Sequence, residues 1–299
     1  MSDMFSNVQG EMWDALVKTR PEMLFLIGDL CYTDTFSKTD EAQLWRRFAQ
    51  SRNQFAVYKM KNLIPTLATW DDHDFGGNNL GREYQFIESS TTNFMTYVAQ
   101  DVWQNGPLSR GPGVSHCFEA FGLRFQLMDA RTFRSQRTAT NDNTHWGAAQ
   151  EEWLLASLDR ETRPTFIMNG SQIYGGYMQK DSYEFNHFES LRRITSELRR
   201  VSSPVIYVSG DIHASELMRI ESEQLGYETF EITSSGIHSF INPFDASYVN
   251  PRRLAAKMDF NFTVIEAAAV GPDRVDLGIT AYGRNRKVFY THTASVARG

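Results

Sequence analysis

Short apolar runs and amphipathic stretches alternate through the first two thirds of the chain. The run Met23-Leu24-Phe25-Leu26-Ile27 is apolar at every position and too short for a helix, which is typical of a buried strand in a parallel sheet. Similar runs predict strands at 66–70, 165–168 and 204–208. Apolar residues at helical spacing predict helices at 9–19, 40–51, 53–62, 91–103, 148–158 and 188–201.

The middle and the end of the chain have a different pattern. Apolar and polar residues alternate at 114–120 and 123–128, on either side of a hairpin-like break at Phe121-Gly122. The same alternation returns at 230–233, 263–268, 275–280 and 287–292. Early βαβ units followed by many strands, with no linker between them, predict an α/β fold. We expect two mixed β-sheets packed together in one domain, residues 1–299.

Three acidic clusters follow predicted strands. Asp29 comes after the strand at 23–27, Asp72 lies in the segment Trp70-Asp-Asp-His-Asp74, and Asp211 lies in Gly210-Asp-Ile-His213. In open α/β sheets, ligands bind at the carboxyl ends of the strands. Three carboxylate sites at three strand ends therefore predict a metal centre.

Composition and charge limit the possible partners. The chain has 299 residues, of which 41% are hydrophobic, and a formal net charge of −6, so its overall charge does not favour nucleic acid. Two cysteines, Cys31 and Cys117, form neither a disulfide framework nor a zinc knuckle. The sequence has no apolar stretch of membrane-spanning length and no export signal at its start.

The residue types in the acidic clusters indicate which metals would suit them. Asp29 is the candidate to bridge two ions, and the phenolate of Tyr32 suits Fe(III) better than Mg²⁺ or Zn²⁺. Asp72 and Asn78 offer only oxygen, which favours a hard second cation such as Ca²⁺, Mn²⁺ or Mg²⁺. Asp211 and His213 are two residues apart, so they offer one oxygen and one nitrogen on the same side of an extended segment.

Other polar residues are candidates for catalysis and substrate binding. His73 lies between Asp72 and Asp74, whose charges favour its protonated form, and it is the candidate proton donor to a leaving group. Arg131 suits a bidentate contact with phosphate oxygens. The candidates for binding substrate are Arg131, Asn78 and Gln172, and those for catalysis are His73, Arg131 and Asp74.

Several of these motifs together resemble the alkaline phosphatase D family of the calcineurin-like metallophosphoesterases. The residues that carry the resemblance are Gly28-Asp29-x-x-Tyr32, Trp70-Asp-Asp-His-Asp74 with Asn78, Asp129-x-Arg131, Gly147-x-x-Gln150-x-x-Trp153-Leu154, Gln172, Gly210-Asp-x-His213 and Ser234-Ser235-Gly236. The first motif also resembles purple acid phosphatases, in which the tyrosine binds Fe(III).

The resemblance implies a four-layer αββα sandwich and a phosphatase or phosphodiesterase that acts through a metal-bound hydroxide. It implies a binuclear centre of Fe(III) and a hard divalent cation, with Ca²⁺ favoured and Mn²⁺, Mg²⁺ or Zn²⁺ as alternatives. Asp29 would bridge the ions, Tyr32 and His213 would bind iron, and Asp72, Asn78 and Asp211 would bind the second ion. The substrate would be a small phosphate ester, and the location periplasmic or secreted.

One departure from the family leaves two alternatives open. The family begins with a strand that carries a further metal ligand, and this sequence lacks that motif before its first acidic cluster. The first alternative is a degenerate binding protein without activity. The second is an enzyme with one metal that is specialised for a nucleotide or lipid diester.

Overall fold

The structure is a computed structural model that describes residues 3–34, 41–99, 108–136, 144–158, 163–178, 181–237, 239, 241 and 249–298. The helices in this part of the chain are α1 Asp3–Val17, α2 Glu41–Gln54, α3 Asp72–Phe75, α4 Ile87–Val98, α5 Ala148–Leu158, α6 Tyr183–Asn186, α7 Phe188–Leu198 and α8 Ser222–Leu225. None of the helices within these ranges is both long enough and apolar enough to cross a membrane.

The strands form three sheets within the described ranges. Their bounds are β1 Leu24–Ile27, β2 Thr66–Thr69, β3 Leu108–Arg110, β4 His116–Ala120, β5 Leu123–Leu127, β6 Thr165–Asn169, β7 Val205–Ser209, β8 Ser215–Ile220, β9 Thr229–Ser234, β10 Arg253–Lys257, β11 Phe262–Ala269, β12 Arg274–Tyr282 and β13 Val288–Ala297. The largest sheet has the order β10-β8-β9-β7-β6-β5-β4-β3, with β5, β6, β7 and β9 parallel and the outer pairs antiparallel. β1 pairs with β2 in parallel, and β11, β12 and β13 form an antiparallel sheet.

Burial follows the pairing of the strands. Every residue of β5, β6 and β7 is buried, because these parallel strands lie in the middle of the large sheet. Along β12, buried residues alternate with partly exposed ones, as expected of a sheet with one face on the core. α7 turns Leu191, Ile194 and Leu198 towards the same core as the central strands. The predicted α/β class, with a large mixed sheet and helices, is confirmed.

Most predicted elements are present, but the bounds of several helices differ: the helix predicted at 9–19 spans Asp3–Val17, and the one predicted at 188–201 ends at Leu198. The segment predicted as a helix at 53–62 forms only a short 3-10 helix, Ala56–Lys59, whose flanking residues Phe55 and Met60 are extended. Its β-branched and aromatic residues are weak helix formers, and Pro65 prevents an extension. The helix predicted at 91–103 begins earlier, at Ile87, and ends at Val98 because Ala99 adopts a left-handed conformation. Residues 100–103 lie outside the described part.

The fold brings the ends of five strands, β1, β2, β5, β6 and β7, to one place. The Gly28 amide donates to the Thr69 carbonyl at 3.0 Å within the β1–β2 pair, and the Gly210 amide donates to the Gly170 carbonyl at 2.8 Å within the large sheet. The Thr69 hydroxyl donates to the Met128 carbonyl at 2.6 Å and so joins the β1–β2 pair to the large sheet. A Cβ atom on Gly210 would lie 2.5 Å from the carbonyl oxygen of Ile27, so the approach requires glycine there. The residues that follow β1, β2 and β7 therefore converge.

Candidate metal centre

Asp29 follows β1 in a tight left-handed turn. Its φ of 52° comes after a φ of 77° at Gly28, which turns the chain away from the strand direction. The carboxylate is buried, and neither of its oxygens has a hydrogen-bond partner among the described residues. Burial, together with the nearby charges of Asp72 and Asp71, raises the pKa of Asp29 well above its usual range. An ionised carboxylate in this environment requires a nearby cation.

Asp72 is held at the start of the one-turn helix α3. Its Oδ1 accepts from the His73 amide at 2.8 Å, and its Oδ2 accepts from the Asn79 amide at 2.7 Å. Both donors are backbone groups, so the carboxylate has a fixed orientation and still has lone pairs for another ligand. The sequence did not predict α3, which is too short to show a helical pattern.

Two groups of potential metal ligands meet at Asp72. Among the described residues, the ligand atoms of Asp29, Asp72 and His73 all lie within 4.8 Å of one another, as do those of Asp71, Asp72 and Asp211. Burial, together with the charges of Asp71 and Asp72, raises the pKa of Asp211 well above its usual range. The two groups fit two cations side by side, because each offers carboxylates whose mutual repulsion a cation would relieve.

Tyr32 and His213 lie on the Asp29 side of the centre. The Tyr32 hydroxyl is 3.4 Å from His213 Nε2, which is 3.9 Å from Asp29 Oδ2. Tyr32 also donates to the Ser239 hydroxyl at 3.4 Å. Burial and the charge of Asp29 raise the pKa of the Tyr32 phenol far above its usual range, so only a strong Lewis acid would ionise it here. The donor set suits a trivalent ion.

His73 forms an ion pair that the sequence did not predict. Its Nδ1 lies 2.6 Å from Asp34 Oδ1, and its ring packs against Tyr32 at a tilt of 37°, with 4.4 Å between ring centroids. Burial alone would lower the pKa of His73, but the hydrogen bond with Asp34 and the charges of Asp72, Asp34 and Asp74 raise it. Asp34 lies 39 residues before His73, and no local pattern connects them.

Arg131 lies between two carboxylates. Its Nε donates to Asp71 Oδ1 at 2.6 Å, its Nη2 donates to Asp181 Oδ2 at 2.9 Å, and Nη2 is 4.0 Å from Asp72 Oδ2. The side chain is fully buried, and its Nη1 has no partner among the described residues. The guanidinium group therefore lies against the Asp71–Asp72 side of the centre. Sequence reasoning found Arg131 but not Asp181, which no motif marks.

Two other predicted site residues, Asp74 and Asn78, lie outside the two ligand groups. Asp74 is fully buried and accepts from the Cys31 amide at 2.6 Å and the Asp71 amide at 3.1 Å, so it holds the backbone at the centre together. Burial raises its pKa to about 8. Asn78 has an exposed side chain after α3. The roles proposed for these two residues stay predictions.

Gln172 is buried in the polar interior of the large sheet. Its Nε2 donates to Glu216 Oε2 at 2.9 Å and to Thr233 Oγ1 at 3.0 Å. Both amide hydrogens are thus used within the protein. The contact of Gln172 with substrate remains a prediction. The burial of its side chain among these partners does not favour that contact.

Fold and site together define a metal-dependent hydrolase of the α/β class. The sequence model of the PhoD-like phosphatase family matches residues 4–264, which is most of the chain. The chain belongs to this family and is therefore a phosphoric ester hydrolase. No curated protein matches the chain. A solved structure of PhoD is similar in fold, with a TM-score of 0.64 and 16% sequence identity over 95% of this chain and 68% of that one.

Proposed function

We propose that the protein hydrolyses small phosphate esters at a binuclear metal centre. The observation that carries the proposal is the pair of buried Asp29 oxygens, which accept no hydrogen bond from the described residues and lie beside two ligand groups that share Asp72. A buried carboxylate normally accepts hydrogen bonds from surrounding donors. The lack of described donors around Asp29 therefore favours a cation-binding site there. The geometry favours Asp72 as the shared ligand, whereas the sequence favoured Asp29.

The two sides of the centre suit different ions. Tyr32 and His213 lie beside Asp29, which shares its group with Asp72, so this side offers phenol, imidazole and carboxylate, a set suited to Fe(III). Asp71, Asp72 and Asp211 provide only oxygen, which suits Ca²⁺, with Mn²⁺, Mg²⁺ or Zn²⁺ as alternatives. When bound, the two ions would supply Lewis acidity and an activated hydroxide that attacks phosphorus.

The residues around the ions have separate roles in the proposed reaction. His73 would donate a proton from Nε2 to the leaving alkoxide, because Asp34 holds its Nδ1 at 2.6 Å. The remaining Nη1 donors of Arg131 would contact a phosphoryl oxygen and stabilise its developing charge. The substrate class that fits is a phosphate mono- or diester.

Metal analysis combined with the visible spectrum tests this proposal. We expect one equivalent of iron and one of a divalent ion, and a tyrosinate-to-Fe(III) absorption band that Tyr32→Phe abolishes. Tyr97→Phe is the matched control, since Tyr97 packs with Trp45 and Phe48 away from the carboxylates. The band should survive in this control.

Hydrolysis of an aryl phosphate monoester and a matched diester completes the test. Asp72→Asn should abolish turnover of both substrates and lower the content of both metals, since Asp72 belongs to both ligand groups. Metal loading without turnover of either ester would favour the alternative of a non-catalytic binding protein. Full activity with a single metal would refute the binuclear centre.

A further inference from the structure

Asp181 contacts Arg131 at Nη2 and connects it to a second arginine. Its Oδ2 accepts from Arg131 Nη2 and from Arg134 Nη1, both at 2.9 Å. Its Oδ1 accepts from Arg134 Nη2 and, at 2.5 Å, from the Asn186 amide nitrogen. The side chain is 8% exposed. Asp181 is therefore a buried carboxylate that accepts four hydrogen bonds from three residues.

The guanidinium group of Arg131 is fixed at two of its three nitrogens. Nε and Nη2 share the Asp71 carboxylate at 2.6 Å, and Nη2 also reaches Asp181. Two carboxylates on one planar group restrict rotation about the bond to Nε. The Nη1 donors are buried and have no partner among the described residues, which leaves them free to donate to a bound group.

Charge explains why a second arginine is present. Burial would raise the pKa of Asp181, but the charges of Arg131 and Arg134 outweigh burial and hold it below its usual range. Arg134 thus keeps Asp181 ionised as an acceptor for Arg131. Arg134 is itself buried, and its backbone carbonyl accepts from the Arg82 amide at 2.9 Å. The pair forms a rigid support behind Arg131.

We propose that Asp181 is a positioning residue that holds Arg131 with Nη1 directed at a phosphoryl oxygen of the substrate, and that Arg134 maintains its charge. This inference rests on the proposed contact between Arg131 and the substrate. Asp181 itself touches no reacting atom, so its effect passes through Arg131.

A single and a double variant test whether Asp181 positions Arg131 or only balances the charge of Arg134. Asp181→Asn should lower kcat/KM for an aryl phosphate ester by about 100-fold, the loss typical of a misplaced catalytic group. It should also weaken competitive inhibition by inorganic phosphate, while the content of both metals is unchanged. The double variant Arg134→Gln/Asp181→Asn removes both charges and should remain slow. Full recovery in the double variant would overturn the proposal, since Asp181 would then only neutralise Arg134.

A double-mutant cycle with Arg131→Gln tests whether Asp181 acts through Arg131. If it does, Arg131→Gln/Asp181→Asn should be no slower than Arg131→Gln alone. Multiplicative losses would show an independent role and overturn the inference. If Arg131→Gln alone leaves kcat/KM unchanged, the proposed substrate contact of Arg131 fails as well. A large loss in Arg131→Gln with none in Asp181→Asn refutes only the positioning role.

A remote carboxylate provides the matched control. Glu221 also pairs with a buried arginine, Arg252, at 2.6 Å, but lies outside the metal centre. Glu221→Gln should leave kcat/KM and phosphate inhibition unchanged. Melting temperatures of all variants, measured with metals bound, show whether each one is folded. If Asp181→Asn alone fails to fold, Arg134→Gln/Asp181→Asn still decides the proposal, because it buries no unpaired charge.

Discussion

Asp29→Asn should stabilise the metal-free protein, although it removes a proposed metal ligand. In the absence of cations, Asp29 accepts no hydrogen bond from the described residues and lies within reach of Asp72. The negative charge of Asp72 repels that of Asp29 and, together with burial, raises the pKa of Asp29. Replacing one charge by a neutral amide of the same shape relieves that repulsion.

The size of the effect follows from Coulomb's law. Ligand atoms of Asp29 and Asp72 lie no more than 4.8 Å apart. At that separation and an effective dielectric constant of about 20, two unit charges repel by about 3 kcal/mol. The asparagine amide remains buried without a partner, so the net gain in the free energy of unfolding should be about 2 kcal/mol. That gain corresponds to a melting temperature about 4 °C higher.

Thermal unfolding in chelator and in saturating metal provides the assay. In chelator, Asp29→Asn should melt above the unchanged protein. With iron and calcium added, the unchanged protein should gain about 4 kcal/mol when the free metal is 1,000 times its Kd, while the variant gains much less. The order of the two melting temperatures should therefore reverse.

An exposed acid provides the control for this comparison. Asp14 lies on the exposed face of α1, so Asp14→Asn should shift neither melting temperature by more than about 1 °C. A variant Asp29→Asn that melts below the unchanged protein in chelator would refute the reasoning. It would mean that Asp29 makes stabilising contacts as an anion even without a cation.

Three further predictions concern the residues around the centre. Asp34→Asn should lower kcat by about 100-fold for an alkyl ester but far less for a nitrophenyl ester, which needs no proton from His73; equal losses for both esters would contradict this role. Burial lowers the pKa of His116 to about 4, so the unfolded chain binds the proton first as the pH falls. His116 alone should therefore lower the free energy of unfolding by about 3 kcal/mol between pH 6.5 and pH 4, and the pH dependence of urea unfolding in His116→Gln should lack that contribution. Trp70→Phe should cost about 1–3 kcal/mol in urea unfolding, because the buried Asp129 loses a 2.7 Å hydrogen bond from the indole, and an unchanged midpoint would contradict this.

The convergence of the acidic clusters could be predicted from the sequence. Asp29, Asp72 and Asp211 each follow an apolar run, and parallel strands place their carboxyl ends at one edge of a sheet. That argument needs only the order of elements. It holds although the β1–β2 pair and the large sheet are separate sheets, because Gly28, Gly170 and Gly210 let their ends approach closely.

The pairing of charges could not be predicted in the same way. Asp34 reaches His73 across 39 residues, and Asp181 reaches Arg131 across 50. These contacts depend on the direction of side chains in loops, which periodicity does not fix. Asp74 shows the same limit: the single turn of α3 directs its side chain to the amides of Cys31 and Asp71.

A comparison of Asp29 with Asp129 shows how the structure separates ligands from structural acids. Both are buried carboxylates at strand ends, and the sequence presents them alike. Asp129 accepts five hydrogen bonds, from the Trp70 indole, the amides of Val114, Arg131 and Thr132, and the Thr132 hydroxyl. Its lone pairs are used, so it has no capacity for an ion.

Asp29, in contrast, accepts no hydrogen bond from the described residues. Burying an ionised carboxylate without donors is costly, and a cation beside Asp29 would offset that cost. The same reasoning applies to Asp71 Oδ2, which is buried and without a partner in the described structure, while its Oδ1 holds Arg131. Incomplete hydrogen bonding therefore distinguishes Asp29 and Asp71 from Asp129 as candidate metal ligands, whereas Asp72 accepts one backbone amide at each oxygen and keeps further lone pairs for an ion.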